Sequence, residues 1–142
     1  MGTVSGRAGR VIIANLPRGG DLMGSLEKLA ADAGVVGGVF TAIGTVSKAA
    51  FAYYDQANHK YMNIVKEGGF EIVSCMGNFG VLNGRPRIHC HLALAGRNGH
   101  VFGGHLLPGT EVFVGEVHLT EVKDVKLERM VDPETGLALF DF

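Results

Sequence analysis

The hydrophobic pattern of this chain changes from a helical to a strand-like period at Gly34, and this change constrains the fold more than any other feature of the sequence. Before it, apolar residues from Leu22 to Ala33 recur at helical spacing behind Asp21, which predicts a helix capped by Asp21 and ended by Gly34. After it, the apolar runs are rich in β-formers and separated by turn residues, which predicts strands.

Strand-like runs lie on both sides of the predicted helix. They are Val11–Ala14, Val35–Val46, Ala49–Tyr54, Tyr61–Val65, Phe70–Val81, Arg87–Ala95, Val101–Leu106, Val112–Val122 and Val125–Met130. Turn signals such as Gly68-Gly69 and Pro108-Gly109 separate most of them. One or two helices and about seven strands predict an α+β fold, a single domain with a mainly antiparallel sheet.

Glycine makes up 22 of the 142 residues, whereas proline makes up only 4 and apolar residues 46%. High glycine with ordinary apolar content indicates a folded domain with many tight turns rather than a disordered or collagen-like chain. We expect residues 1–9 to be a flexible N-terminus and residues 10–142 to form the single domain.

The charge balance and the two cysteines bear on partners and compartment. A formal charge of −1 does not support binding to nucleic acid through its phosphates. Cys75 and Cys90 lie in apolar runs without the spacing of a redox motif or a zinc ribbon, which favours buried, reduced thiols. The sequence shows no secretory leader and no membrane-spanning stretch, so we expect a cytoplasmic protein without a membrane partner.

Three of the six histidines form a candidate metal site. In the predicted strand that contains Cys90, alternation places this cysteine on the core face and both His89 and His91 on the opposite face. His105 lies on the next predicted strand. Three imidazoles with an open fourth position suit zinc, with water as the ligand at that position. The alternative is that the three histidines only form hydrogen bonds on a half-buried face.

The loop between these two strands, which contains Gly99, decides whether the histidines meet. A two-residue loop would place His105 on the core face, opposite Leu92. A three-residue loop, with Gly99 in the left-handed conformation, would pair His91 directly with His105. We favour the longer loop because it places Phe102, Gly104 and Leu106 of the second strand on the core face. Gly103 would then leave room beside the histidines for a ligand or another chain.

Several other residues give weaker signals. Glu116 is a weak candidate for a catalytic base or for a partner of a metal ligand, and a solvated carboxylate is the competing interpretation. The segment from Asn83 to Arg87 contains the Gly-Arg-Pro core of an AT-hook without its flanking basic residues, which favours a turn. The remaining histidines are predicted to lie on the surface or in turns, at His59, His100 and His118.

The sequence resembles the PPC domain, a family conserved in plants and prokaryotes. The resemblance extends from about Arg10 to Phe142. It rests on the segments Gly69–Ser74, Pro86–His91, Gly99–Leu106, Gly115–Val117 and Asp132–Leu137.

The resemblance implies an α/β domain with a seven-stranded antiparallel sheet that assembles as a homotrimer. In plant members the domain follows AT-hooks in nuclear DNA-binding proteins, whereas prokaryotic members usually stand alone and are often called DNA-binding by analogy. In stand-alone members the histidines that match His89, His91 and His105 form a metal site expected to hold zinc. This sequence has all three and no hooks, so it resembles the prokaryotic type.

Three functions remain open at the level of the sequence. The favoured one is a homotrimeric domain with a three-histidine zinc site that binds a small ligand at the open metal position. The second is a DNA-binding regulator, by family analogy alone. The third is a zinc-dependent hydrolase or lyase of unknown substrate, for which Glu116 is the one candidate base. The sequence does not establish whether the protein is an enzyme.

Overall fold

One helix and eight strands make up the structure, a computed structural model that describes residues 2–142. In chain order they are β1 (Arg7–Asn15), α1 (Leu22–Asp32), β2 (Gly38–Asp55), β3 (Lys60–Leu82), β4 (Arg85–Ala95), β5 (Val101–Leu106), β6 (Glu111–Lys123), β7 (Arg129–Val131) and β8 (Ala138–Phe140). These elements confirm a single domain with a mainly antiparallel sheet and one helix. A second helix does not occur among these residues.

Helix α1 begins and ends as the sequence predicts. The Asp21 carboxylate accepts a hydrogen bond of 2.7 Å from the amide of Gly24, which caps the helix, and Gly34 ends it with a φ of +66°. Leu22 and Leu26, on the apolar stripe, are fully buried. The helix contacts β4 and therefore covers the inner face of the sheet.

Six of the strands form one antiparallel sheet in the order β1-β6-β2-β3-β4-β5, and β7 and β8 form a separate hairpin. The large sheet also curls back on itself. Its last strand, β5, pairs with β2 through Phe51 with Leu106 and Ala52 with His105. The curl therefore encloses His105 between two neighbouring strands.

Two predicted strand boundaries are wrong because the strands continue through them. Each of the long strands β2 and β3 joins two of the predicted runs. Gly68 and Gly69, predicted to form a turn, instead oppose the single residue Ser47, so they form a bulge in a continuous hairpin. Gly68 has a φ of +122°, a conformation that favours glycine.

The ends of the domain also differ from the sequence prediction. Strand β1 begins at Arg7, inside the segment expected to be flexible, because Arg7 already pairs with β6. Arg10 strengthens the same contact through a 3.0 Å ion pair with Glu121, and its hydrogen bond lowers the pKa of Glu121 to about 2. Of the predicted strand Val125–Met130, only the last two residues are in β7.

The hydrophobic core lies between α1 and the inner face of the sheet. Cys75 and Cys90 are buried there as free thiols, with their sulfur atoms 3.5 Å apart, as predicted. Over the described range 2–142, no helix combines the length and apolar character that crossing a bilayer requires.

Candidate metal centre

The hairpin of β4 and β5 has the register that a three-residue loop predicts. His91 pairs directly with His105. Gly99 closes the loop with a φ of +78°, the left-handed conformation that the longer loop requires. His89 lies two residues before His91 and is thus the diagonal neighbour of His105. All three histidines therefore project from the outer face of the sheet, as predicted.

The three histidines form a compact triangle. Their ring centroids are 5.1 to 5.5 Å apart. One ring nitrogen from each of them lies within 4.8 Å of the other two. A zinc ion at the usual bond length of about 2.0–2.1 Å needs nitrogens roughly 3.4 Å apart, which small side-chain rotations would provide. The donor set therefore fits a single metal ion.

Burial disfavours the charged form of two of these rings. Burial of the imidazolium, assisted by the charges of His89 and His91, lowers the pKa of His105 to about 4. Burial also lowers the pKa of His89, with smaller contributions from His91 and Arg129. Neutral imidazole is the form that ligates metals.

One nitrogen of the cluster lacks a hydrogen bond. His105 Nδ1 is buried and has no partner in residues 2–142. An unpaired buried nitrogen is unfavourable, and a metal ion is a partner that the chain itself does not supply. Tyr61 stacks on the His105 ring with 4.9 Å between centroids and fixes its orientation.

The histidines line a cavity of about 610 Å³, a size typical of small-molecule sites. Most of its other walls are apolar or aromatic, and they include Tyr54, Tyr61, Leu82, Leu137 and Leu139. Two arginines, Arg87 and Arg129, also line it. The cavity thus combines a polar cluster at one wall with a mainly hydrophobic interior.

The hairpin of β7 and β8 contributes residues that the sequence analysis missed. It supplies Arg129 and several apolar residues to the cavity. Two contacts hold the turn of this hairpin against the end of the β2–β3 hairpin. The Tyr54 hydroxyl donates a hydrogen bond of 2.6 Å to the Thr135 carbonyl, and His59 Nδ1 lies 2.6 Å from the Glu134 carbonyl oxygen. The segment Asp132–Leu137, which is part of this hairpin, was among the motifs that carry the family resemblance. The resemblance implied no functional role for it, so the sequence did not point to the cavity.

Glu116 is exposed on β6 and does not line the cavity. Glu116 pairs with Ile43 of β2, whereas His105 pairs with Ala52 of the same strand, nine residues further on, so the structure does not bring Glu116 together with the three histidines.

Gly103 also lies outside the cavity wall. A Cβ atom there would be 2.0 Å from the Leu92 carbonyl oxygen. A glycine is therefore required at this position because β5 approaches β4 closely. We expected instead that it would leave room for a ligand, and that expectation was wrong. Its neighbour Gly104, expected on the core face, does line the cavity.

The structure agrees with the predictions for the remaining histidines and for the Gly-Arg-Pro segment. His59, His100 and His118 are all exposed. Asn83 and Gly84, with φ of +52° and +76°, form the tight turn between β3 and β4, so the Gly-Arg-Pro segment is part of a hairpin.

A curled antiparallel sheet, one helix on its inner face and three clustered histidines on its outer face define a class of small α+β domains with a candidate metal centre. The chain belongs to the Plants and Prokaryotes Conserved (PCC) domain family, also abbreviated PPC, whose model matches residues 3–123. The resemblance identified from the sequence is therefore confirmed.

Two archaeal crystal structures share this fold over the whole chain, each with a TM-score of 0.93 and 32% identity. One is a plant- and prokaryote-conserved protein from Pyrococcus horikoshii, matched over 98% of its length, and the other is a metal-containing protein from Archaeoglobus fulgidus, matched over 100%. A protein from Ralstonia eutropha that has been proposed to bind DNA aligns with a TM-score of 0.79 and 27% identity over 92% of this chain and 90% of its own.

The chain also matches part of a much longer protein. It is 31% identical over 129 residues to the bifunctional protein GlmU of a Synechococcus species, a match that covers 89% of this chain and 20% of GlmU. The chain thus spans about a fifth of the length of the curated relatives that it matches.

Proposed function

We propose that this chain is a metal-binding domain that holds one zinc ion between His89, His91 and His105 and takes a small ligand at the open metal position. The observation that carries the proposal is the triangle of ring nitrogens within 4.8 Å on one face of a hairpin. The donor set consists of nitrogen atoms alone, which suits zinc better than magnesium or calcium. The free thiols of the core are consistent with a reducing, cytoplasmic location.

Bound zinc would supply Lewis acidity and an exchangeable fourth position next to the cavity. The residues of this chain supply the three imidazoles, the aromatic support of Tyr61 and the apolar walls. A hydrolase or lyase would also need a base, and Glu116 lies elsewhere on the sheet. Ligand binding is therefore the function that the site supports best.

DNA binding is the alternative that family analogy offers, and the Ralstonia eutropha protein has been proposed to have it. The formal charge of −1 gives no basic excess for the phosphates. An absence of retardation of AT-rich duplex DNA at low salt would eliminate this alternative.

Metal analysis of the purified chain tests the proposal. We expect about one zinc per chain in the wild type and none in the double variant His91→Ala, His105→Ala, because too few imidazoles remain to hold the ion. His100→Ala, which removes an exposed histidine in the β4–β5 loop, should keep the wild-type content. Failure of the wild type to bind zinc after zinc addition would refute the proposal.

We also propose that the domain is a homotrimer, as the family resemblance implies. Support comes from an apolar patch on the outer sheet face, which we define by Val11, Ile13, Val39, Ile43 and Met76. Each of them is between 52 and 68% exposed. Thr120, His118 and Glu116 of β6 lie between these side chains, so the face is mixed, as many interfaces between protein chains are. The patch adjoins the histidines, because Met76 pairs with His91.

A charge in this patch should dissociate the trimer. We expect the wild type to have about three times the 15.0 kDa mass of one chain in solution, and Ile13→Glu to have the mass of a monomer, because the new carboxylate would be buried without a partner. Met130→Glu, at an exposed position of β7, should leave the mass unchanged. Light scattering after size exclusion measures both, and a monomeric wild type would contradict the assembly.

A further inference from the structure

Arg129 is a buried cation without an acidic partner in the part of the chain that the structure describes. The residue is only 5% exposed and takes part in none of the ion pairs there. Its Nη1 donates to the Ala138 carbonyl at 2.9 Å and its Nη2 donates to the Asn78 side-chain oxygen. Its guanidinium carbon lies 4.2 Å from the centroid of the Phe140 ring, and its Nε is buried without a hydrogen-bond partner among the described residues. A buried, uncompensated charge is strongly unfavourable, so a counter-charge is expected from outside these residues.

This cation lies at the candidate metal centre. Arg129 lines the same cavity as the three histidines, and its charge contributes to the lowered pKa of His89. The second arginine of the cavity, Arg87, differs because it forms an ion pair with Glu27 at 3.4 Å. Arg129 is therefore the arginine of this cavity whose charge has no carboxylate partner among the described residues.

The cavity as a whole favours negative charge. Its described wall includes three histidines and two arginines but no aspartate or glutamate. Three neutral imidazoles would leave the double charge of a zinc ion uncompensated, and Arg129 adds a further positive charge. An anion is the ligand that such a site attracts most strongly.

We propose that the ligand of this cavity is a small organic carboxylate, held by the guanidinium of Arg129 beside the histidine cluster. The planar guanidinium matches a carboxylate in shape and charge. The apolar and aromatic walls, among them Tyr61 and Leu139, suit a hydrocarbon or aromatic body, which inorganic phosphate lacks. This inference names the ligand class of the proposed function and rests on that function for the position of the metal. The charge of Arg129, however, does not depend on whether a metal is bound.

The test compares benzoate with benzamide, which has nearly the same shape but no charge. Calorimetric titration of the full-length chain, with and without bound zinc, should show benzoate binding about tenfold or more tightly than benzamide, because a hydrogen bond to a charged group is stronger than one to a neutral group. Inorganic phosphate should bind more weakly than benzoate, because it has no apolar body to bury. This comparison needs no substitution and therefore does not depend on the stability of a variant.

Two variants assign the effect to Arg129. Arg129→Met should weaken benzoate binding about tenfold or more while keeping the zinc content, and Arg129→Lys should restore part of the affinity. The control Arg97→Met removes an exposed arginine of the β4–β5 loop and should bind benzoate like the wild type.

The outcomes separate this inference from the proposed function. Benzoate binding that depends on Arg129 in a chain without zinc affinity would uphold the carboxylate site and refute the metal site. Zinc binding without saturable benzoate binding, or equal affinity for benzoate and benzamide, would overturn the carboxylate inference alone. The carboxylate inference would also be overturned if Arg129→Met lost the trimer but bound benzoate with unchanged affinity. In that case the counter-charge of Arg129 would come from a second copy of the chain.

Discussion

Addition of zinc should raise the unfolding temperature of the metal-free chain by about 10 °C. Zinc would link β4 to β5 through His89, His91 and His105, and the unfolded chain does not hold these side chains together. A ligand at about 1,000 times its dissociation constant stabilises the folded state by about 4 kcal/mol. For a domain of this size, each kcal/mol corresponds to about 2–4 °C. Differential scanning calorimetry of chelator-treated protein before and after zinc addition measures the shift.

His105→Phe separates the metal role of this residue from a structural one. Phenylalanine can keep the ring stacked on Tyr61 and removes the buried Nδ1 that has no hydrogen-bond partner in the described chain. We therefore expect metal-free His105→Phe to unfold at or above the temperature of the metal-free wild type. Zinc should no longer stabilise it, whereas His100→Ala should respond to zinc like the wild type.

Two results would contradict this prediction. The first is a wild type whose unfolding temperature does not change with zinc. The second is a metal-free His105→Phe variant that is several kcal/mol less stable than the metal-free wild type. The second result would mean that the histidine serves the packing of the fold rather than a metal.

The β4–β5 part of the site could be predicted from the sequence because its geometry depends on local rules. Strand alternation places His89 and His91 on one face, and the single loop residue Gly99 selects the register that brings His105 opposite His91. Both rules act within 20 residues of sequence. The helix was predictable for the same reason, since Asp21 supplies the cap by a local hydrogen bond.

The rest of the site was not predictable because it depends on contacts between distant segments. Arg129 reaches the cavity only because the C-terminal hairpin folds back over the sheet, where Arg129 contacts Asn78. Tyr61 reaches His105 only because the sheet curls until β5 pairs with β2. No periodicity in the sequence reports such a curl, and the glycines that accommodate the bulge opposite Ser47 have the composition of an ordinary turn.

Gly103→Ala should lower the stability of the metal-free chain by about 3 kcal/mol. An added Cβ atom would lie 2.0 Å from the Leu92 carbonyl oxygen and 2.9 Å from the Ala93 Cα. Both are backbone atoms of the neighbouring strand, which cannot move aside without breaking the pairing of β4 with β5. Because that pairing holds His105 opposite His91, we also expect the variant to lose most of its zinc affinity.

Gly96→Ala is the matched control, since it adds the same methyl group to the same hairpin. Its Cβ would meet only Asn98 Oδ1 at 3.4 Å and the His100 carbonyl oxygen at 4.0 Å, which are ordinary contacts. We expect its stability to change by less than about 0.5 kcal/mol and its zinc content to stay at the wild-type value. Urea titration of both metal-free variants, followed by zinc analysis, measures the two effects. Equal stability of the two variants would show that the close approach of β5 to β4 is not what positions His105.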